Sequence, residues 1–269
     1  MAHVFTNEED EYIVNNYKLK TIKAIANDLG LTDSQIRHRI QRHLKITPSK
    51  RKKHYHNEEF FTSDSADKFY VLGLIASDGN LYHDGCKNRF KVSICLHSDD
   101  SKLLYDINSK ICNTDLVSNR SNSKMSELVL YNENIFNEVK RYGISESKSL
   151  TIKYPSDIPN VYTKDFIRGY LDGDGSVMLF SDPNSKEYKK LVIQFLGTYD
   201  MLYGITKEID NRFGFGIKRI HDTNNKIKRL RYTTKQARKI LEWIYDSEST
   251  LRLERKYNKY NEYRVKFND

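Results

Sequence analysis

Hydrophobic residues in the first 46 positions recur every three or four residues, in three short runs separated by polar turns. The first run begins at Thr6 and the third at Thr32, each with Glu or Gln three residues later, which is the capping-box pattern of a helix start. Gly30 ends the second run, and Ile36 and Ile40 share one face of the third. The pattern predicts three short helices.

From residue 59 onward the pattern alternates between helical and strand periods, and the same order of segments occurs twice. Each copy begins with an apolar helical run, followed by two alternating runs joined by a polar turn, as in a β-hairpin. A helix, a second hairpin and a last helix complete the copy. Asp174 follows Asp78 by 96 positions, at the end of the first helix in each copy. We predict two αββαββα halves, residues 59–153 and 154–269.

Composition limits the class of protein. The chain has 269 residues, a net charge of +9 and a pI of about 9.2, which makes nucleic acid the first partner to consider. Its three cysteines have neither zinc-site spacing nor an even count, so we expect a reducing, cytoplasmic compartment. The acidic start is unlike a signal peptide, and no run approaches the ~18 apolar residues of a membrane span.

The basic charge of the N-terminal region is confined to the third helix and the segment after it. From Ile36 to Lys53 there are eight Lys or Arg residues and no acid. Two helices joined by a turn at Gly30, the second basic and amide-rich, resemble a helix-turn-helix of the Myb or resolvase kind, which implies that the third helix enters the DNA major groove. The candidate DNA-binding residues are Gln35, Arg37, His38, Gln41, Arg42, Lys50, Arg51, Lys52 and Lys53. The alternative is a three-helix bundle that contacts other proteins.

Pro48 and the polar, basic residues around it indicate a linker. We therefore predict a helix-turn-helix module at residues 1–46 and a basic linker at 47–58. The linker is either a solvated tether or a segment that lies along DNA.

The helix ends of the two copies read "VLGLIASDG" at Val71–Gly79 and "IRGYLDGDG" at Ile167–Gly175. They resemble the LAGLIDADG motif of homing endonucleases, and the duplicated αββαββα order resembles that family over roughly residues 60 to 269. The resemblance implies an α+β fold, a pseudo-twofold duplicated LAGLIDADG fold with an N-terminal all-α helix-turn-helix domain. It also implies that the two motif helices pack together through small residues and bring Asp78 and Asp174 to one place.

Two carboxylates side by side repel one another, and a divalent cation with hard oxygen ligands removes that repulsion. In the family, the final aspartates of the two motifs bind the metals, and each aspartate serves the cleavage of one DNA strand. The resemblance therefore assigns metal-binding and catalytic roles to Asp78 and Asp174. The carbonyls of Ser77 and Gly173 would be further ligands. The expected cofactor is Mg²⁺, or another divalent cation such as Mn²⁺. The family's acid two residues earlier is present in the second copy but is Ala76 in the first, so we expect an asymmetric site.

The resemblance also implies basic residues near the phosphates and two sheets that form a saddle over DNA. Lys148 and Lys256 lie at similar points after the last helix of each copy and are the candidate catalytic lysines; the alternative is ordinary surface lysine. Residues two apart in a strand share a face, as do Arg229 and Arg231. The candidate DNA contacts in the strands are Arg89, Lys91, Lys218, Lys228, Arg229 and Arg231.

The sequence therefore favours a site-specific, Mg²⁺-dependent endonuclease that cuts both strands of double-stranded DNA and acts as a monomer, since both motif copies are in one chain. One alternative is a transcriptional regulator that retains the fold without cleavage, although both acids are present here. Another is an intron-splicing maturase. The chain shows neither a splicing nucleophile at its start nor a His-Asn end, so an intein is not expected. The sequence leaves open whether it is intron-encoded or free-standing.

Overall fold

The computed structural model describes residues 3–17, 20–45, 56–86, 88–120, 123–182, 185–223 and 226–267. The described residues form two compact units. One comprises those of Met1–Asn57 together with Ser109–Asp115, and the other comprises those of Glu58–Asn108 and Leu116–Asp269. The predicted linker 47–58 lies mostly outside the described residues.

The first unit contains the three predicted helices, α1 (Asn7–Asn16), α2 (Ile22–Asp28) and α3 (Asp33–Arg42). The predicted capping boxes at Thr6 and Thr32 are both formed. Apolar residues of all three helices make a small separate core, comprising Ile13, Tyr17, Ile22, Ile25, Ala26, Ile36 and Ile40. The helical period of the sequence and the local caps are therefore sufficient to specify these elements.

The second unit begins with a short helix, α4 (Glu59–Thr62), and then contains the first αββαββα half apart from Ser109–Asp115, which belong to the first unit. Its elements are α5 (Ala66–Asp78), β1 (Gly79–Asp84), β2 (Arg89–His97), α6 (Ser101–Ile111), β3 (Val117–Asn119), β4 (Met125–Tyr131) and α7 (Glu133–Arg141). The strands form an antiparallel sheet in the order β1-β2-β4-β3. Val92 and Ile94 of β2 and Leu128 of β4 are buried on one face, as period-2 alternation predicts.

The second half repeats this arrangement. Its elements are α8 (Thr163–Asp174), β5 (Gly175–Asp182), β6 (Ser185–Gly197), α9 (Tyr199–Phe213), β7 (His221–Asp222), β8 (Lys228–Thr233) and α10 (Thr234–Tyr245). The sheet order is β5-β6-β8-β7, the same as in the first half. The predicted α+β fold with a duplicated αββαββα unit is confirmed.

One long element was not expected from the sequence. After α10 the chain forms a further helix, α11 (Glu254–Phe267), which packs against β5 and β6. Its buried positions are Lys256, Tyr260 and Tyr263, spaced at i, i+4 and i+7. A face of one lysine and two tyrosines has little contrast in hydrophobicity with its surroundings, so periodicity alone did not reveal it. No helix among the described residues is long and apolar enough to cross a membrane.

Candidate active site

Helices α5 and α8 pack side by side along faces that contain glycine. A Cβ atom on Gly73 would collide with the carbonyl oxygen of Phe166 and lie 2.9 Å from the nitrogen of Tyr170. A Cβ atom on Gly169 would collide in the same way with the carbonyl oxygen of Tyr70. The obstacles are backbone atoms, which cannot rotate away. Only glycine permits this approach, in agreement with the packing predicted from the two motifs.

The close approach continues to the ends of both helices. A Cβ atom on Gly173 would collide with Ser77 Oγ and would lie 3.1 Å from Asp78 Oδ2. Asp78 is the last residue of α5, and Asp174 is the last residue of α8. The structure thus brings the two predicted metal-binding ends together, from positions 96 residues apart in the chain.

The environment of the two aspartates disfavours their charge. Burial, and then the negative charge of Asp174, raise the pKa of Asp78 from 3.8 to about 6, although Lys256 and Lys148 oppose the shift. The pKa of Asp174 is also raised, because nearby protein atoms desolvate its carboxylate although the residue as a whole is exposed. The shift of Asp78 has the sign expected for a desolvated acid beside a second acid, and that of Asp174 has the sign expected from desolvation.

The donor atoms at this place fit a divalent cation. Among the described residues, none donates a hydrogen bond to the carboxylate of Asp78 or Asp174 or forms an ion pair with it. No group of three or more His, Cys, Asp or Glu side chains that could hold a metal occurs in that part of the chain. A cation here would complete its shell with carbonyl oxygens, water or phosphate, as Mg²⁺ and Mn²⁺ do.

Lys148, predicted to lie near the phosphates, is buried beneath the end of α5. Its Nζ donates hydrogen bonds to the carbonyl oxygens of Ser77, at 3.0 Å, and Gly79, at 2.6 Å. Carbonyls in the last turn of a helix lack partners within the helix and carry its negative dipole end, so an ammonium group stabilises them. Burial lowers the pKa of Lys148, and the carboxylates of Asp174 and Asp78 oppose this shift.

Lys256 occupies the matching position beneath α8. Its Nζ donates to the carbonyl oxygens of Leu171 at 2.7 Å, Asp172 at 2.5 Å and Gly175 at 2.7 Å, and lies 3.5 Å from that of Gly173. Burial lowers its pKa to about 8. The expected carbonyl ligands, on Ser77 and Gly173, therefore already accept from lysine. A carbonyl oxygen has two lone pairs, so this leaves room for a cation, and these metal and catalytic roles stay predictions.

Several solved structures with this architecture are LAGLIDADG proteins bound to DNA. The I-LtrWI LAGLIDADG homing endonuclease bound to target DNA matches with a TM-score of 0.50 and 13% identity, over 77% of this chain and 90% of that one. The LAGLIDADG meganuclease I-AabMI bound to uncleaved DNA matches with a TM-score of 0.51 and 12% identity, over 74% and 89%. The I-SmaMI LAGLIDADG homing endonuclease bound to cleaved DNA gives 0.51 and 12%, over 74% and 88%.

The chain has the LAGLIDADG homing endonuclease fold. No protein-family sequence model matches it, and no curated protein sequence does either. The similarity is therefore in the backbone fold, and it agrees with the two LAGLIDADG-like motifs at Val71–Gly79 and Ile167–Gly175.

In the first LAGLIDADG sheet, the outward face carries two of the predicted DNA contacts. Arg89 and Lys91 lie on the side of β2 opposite the buried Val92 and Ile94. Lys91 Nζ is held by Glu127 Oε1 at 3.0 Å. A carboxylate on this face was not anticipated, and it also binds Arg120 through the second oxygen.

The second sheet corrects two of the predicted positions. Arg229 and Arg231 lie on the face opposite the buried Leu230, as alternation predicts. Lys228 instead lies on the same side as Leu230 and pairs with Asp222 at the sheet edge. Lys218 was expected in a strand, which is wrong, because β7 does not begin until His221. Its Nζ lies 5.8 Å from the centre of the Tyr232 ring.

In the N-terminal unit, the exposed side of α3 carries Arg37, His38, Gln41 and Arg42. Gln35 is used differently, because its side-chain oxygen accepts from the backbone and hydroxyl of the N-cap threonine. That bond explains why a glutamine stands three residues after the N-cap. It engages the amide oxygen of Gln35, and the DNA-binding role of this residue stays a prediction. The predicted contacts Lys50, Arg51, Lys52 and Lys53 lie outside the described residues.

Proposed function

We propose that this protein is a site-specific endonuclease that cuts both strands of double-stranded DNA. The observation that carries the proposal is the convergence of Asp78 and Asp174 at the ends of two helices in glycine-mediated contact. Burial raises the pKa of both carboxylates, and the charge of Asp174 raises that of Asp78 further; among the described residues none forms an ion pair with either carboxylate. The likeness to DNA-bound LAGLIDADG structures and the net charge of +9 support DNA as the substrate.

The two aspartates would hold Mg²⁺ or Mn²⁺, with the carbonyl oxygens of Ser77 and Gly173 close by. When bound, such a cation would help to generate hydroxide from water and offset charge on the leaving oxygen. Packing of α5 against α8 would hold the metal-binding oxygen atoms close together. Lys148 and Lys256 would keep the carbonyl groups at the ends of the two helices in place. Each half would act on one strand, and a monomer would suffice because both halves are in one chain.

We propose in addition that the N-terminal unit, residues 1–46, is a second DNA-binding module. The exposed face of α3 carries arginine, histidine and glutamine, which suit phosphates and base edges. Residues 47–58 would link it to the two LAGLIDADG halves, 59–153 and 154–269. Such a module would add affinity and lengthen the recognised site without contributing to hydrolysis.

The test incubates the purified protein with a random pool of DNA fragments, with Mg²⁺ and separately with EDTA, and sequences the new ends. We expect paired cuts at one sequence in Mg²⁺ alone. Asp174→Asn should bind the selected DNA as the wild type does and lose double-strand cutting. The matched control is Glu248→Gln, which removes one exposed negative charge on the surface. Selective binding without cutting by the wild type would favour a regulator and refute the nuclease proposal.

A further inference from the structure

The two LAGLIDADG helices differ at one matched pair of positions. The offset of 96 that relates Asp78 to Asp174 also relates Tyr70 of α5 to Phe166 of α8. The structure supports this equivalence, because each of those two residues supplies the backbone carbonyl that meets a glycine of the opposite helix. At the same offset, Ala76 corresponds to Asp172. One half therefore has an acid at this position and the other has a methyl group.

Asp172 is almost completely buried, with 1% of its surface exposed. Its Oδ2 accepts two hydrogen bonds, one at 2.8 Å from the hydroxyl of Tyr70 and one at 2.9 Å from the backbone nitrogen of Leu253. Tyr70 belongs to the other half of the molecule. Leu253 immediately precedes α11, so this single carboxylate oxygen joins both motif helices to the start of α11.

Lys256 follows Leu253 by three residues, in the first turn of α11. Its Nζ reaches three carbonyl oxygens at the end of α8 within 2.7 Å, including that of Asp172 itself. A lysine side chain has several rotatable bonds, and a firmly held backbone limits where its ammonium group can go. The side chain of Asp172 thus acts on Lys256 indirectly, by holding the segment from which that lysine projects.

The first half has no carboxylate at the position that matches Asp172. Lys148 reaches two carbonyls, of Ser77 and Gly79, and the position that matches Asp172 is Ala76. The aromatic residue that would be its partner is Phe166, which has no hydroxyl to donate. Tyr70 of the first half and Asp172 of the second therefore form one contact across the two halves, whereas their counterparts, Phe166 and Ala76, have neither the donor nor the acceptor for a matching one.

We propose that Asp172 is a positioning residue that holds Lys256 beneath the second half of the active site, with no counterpart in the first half. The proposal rests on the proposed nuclease function for its consequence, which is that the two strands respond unequally when Asp172 is lost. The placement of Lys256 by Asp172 can itself be measured without DNA or metal.

The structural test compares acetylation of lysines by acetic anhydride in the wild type and in Asp172→Ala, in EDTA, with peptides quantified by mass spectrometry. We expect the acetylation rate of Lys256 to rise about fivefold or more, because the start of α11 opens locally. Lys148 and Lys68 are buried lysines away from the Asp172 contact, and their rates should remain within about twofold. Equal increases at all three would mean general unfolding and would overturn the proposal.

The functional test places a different fluorescent label on each strand of a cleavable duplex and follows nicking of the two strands separately. Asp172→Ala should slow one strand by on the order of tenfold and leave the other nearly unchanged. That strand should be the one slowed by Lys256→Met, whereas Lys148→Met should slow the other. Tyr70→Phe removes one of the two donors and should give a smaller effect on the same strand. Equal slowing of both strands by Asp172→Ala would refute the positioning role.

The outcomes separate this inference from the proposed function. If the wild type cuts no DNA but Lys256 alone becomes reactive in Asp172→Ala, the nuclease proposal fails and the positioning contact stands. If the wild type cuts and the reactivity of Lys256 does not change, the positioning contact is wrong and the nuclease proposal is unaffected.

Discussion

Neutralising Asp78 should make the metal-free protein more stable, although it removes a residue of the proposed site. The pKa of this acid rises from 3.8 to about 6 on folding, because burial and the neighbouring Asp174 disfavour its charge. An acid whose pKa is raised in the folded state binds its proton more tightly there. Its charge therefore costs folding free energy in full above about pH 6, and the cost disappears as the pH falls towards 3.8.

The size of the effect follows from the shift. A rise in the pKa of Asp78 from 3.8 to about 6 corresponds to a loss of about 3 kcal/mol in the free energy of unfolding at pH 8. Solvent reaches part of the Asp78 side chain and screens its charge. We therefore expect Asp78→Asn to raise the free energy of unfolding by about 1.5 to 3 kcal/mol. For a unit of roughly 200 residues, that is an increase in Tm of about 4–8 °C.

The assay is thermal unfolding in EDTA, followed by circular dichroism, at pH 8 and at pH 4. The increase in Tm of Asp78→Asn over the wild type should be large at pH 8 and nearly absent at pH 4. Added Mg²⁺ should reduce it, because a cation that binds the folded wild type stabilises it by mass action. Glu248→Gln removes an exposed charge and should change the Tm little at either pH. A variant no more stable than wild type at pH 8, or a gain that persists at pH 4, would refute the reasoning.

Two further predictions concern packing and DNA binding. Gly169→Ala places a methyl group against the backbone of the opposite helix and should reduce the free energy of unfolding by about 3 kcal/mol in urea titrations, whereas Gly85→Ala, which adds its methyl in open space, should cost under about 1 kcal/mol. Arg37→Ala, on the exposed side of α3, should weaken DNA binding in EDTA and reduce its salt dependence without lowering the Tm. Arg39→Ala breaks a half-buried ion pair with Asp10 instead and should lower the stability of the N-terminal helices. Equal loss of DNA affinity and equal stability in both arginine variants would contradict the assigned faces.

Local sequence was sufficient for most elements of both units, with helix α11 as the main exception. The capping threonines, the helical and strand periods and the repeated order each depend on residues within a few positions of one another, so they can be read from the chain directly. The two Asp-Gly helix ends were recognisable as a pair because they occupy equivalent positions in a repeat. The same pairing identified Asp78 and Asp174 as candidates before any geometry was known.

The tertiary structure decided where the remaining polar side chains point. Lys148 and Lys256 donate hydrogen bonds to carbonyl oxygens of helices that lie 71 and 85 residues earlier in the chain, and no local sequence pattern predicts contacts over such separations. The burial of Asp172 against Tyr70 likewise depends on contact between the two halves. Periodicity determines which face of an element is apolar, but the partner of a buried polar group is set by the residues that folding brings beside it.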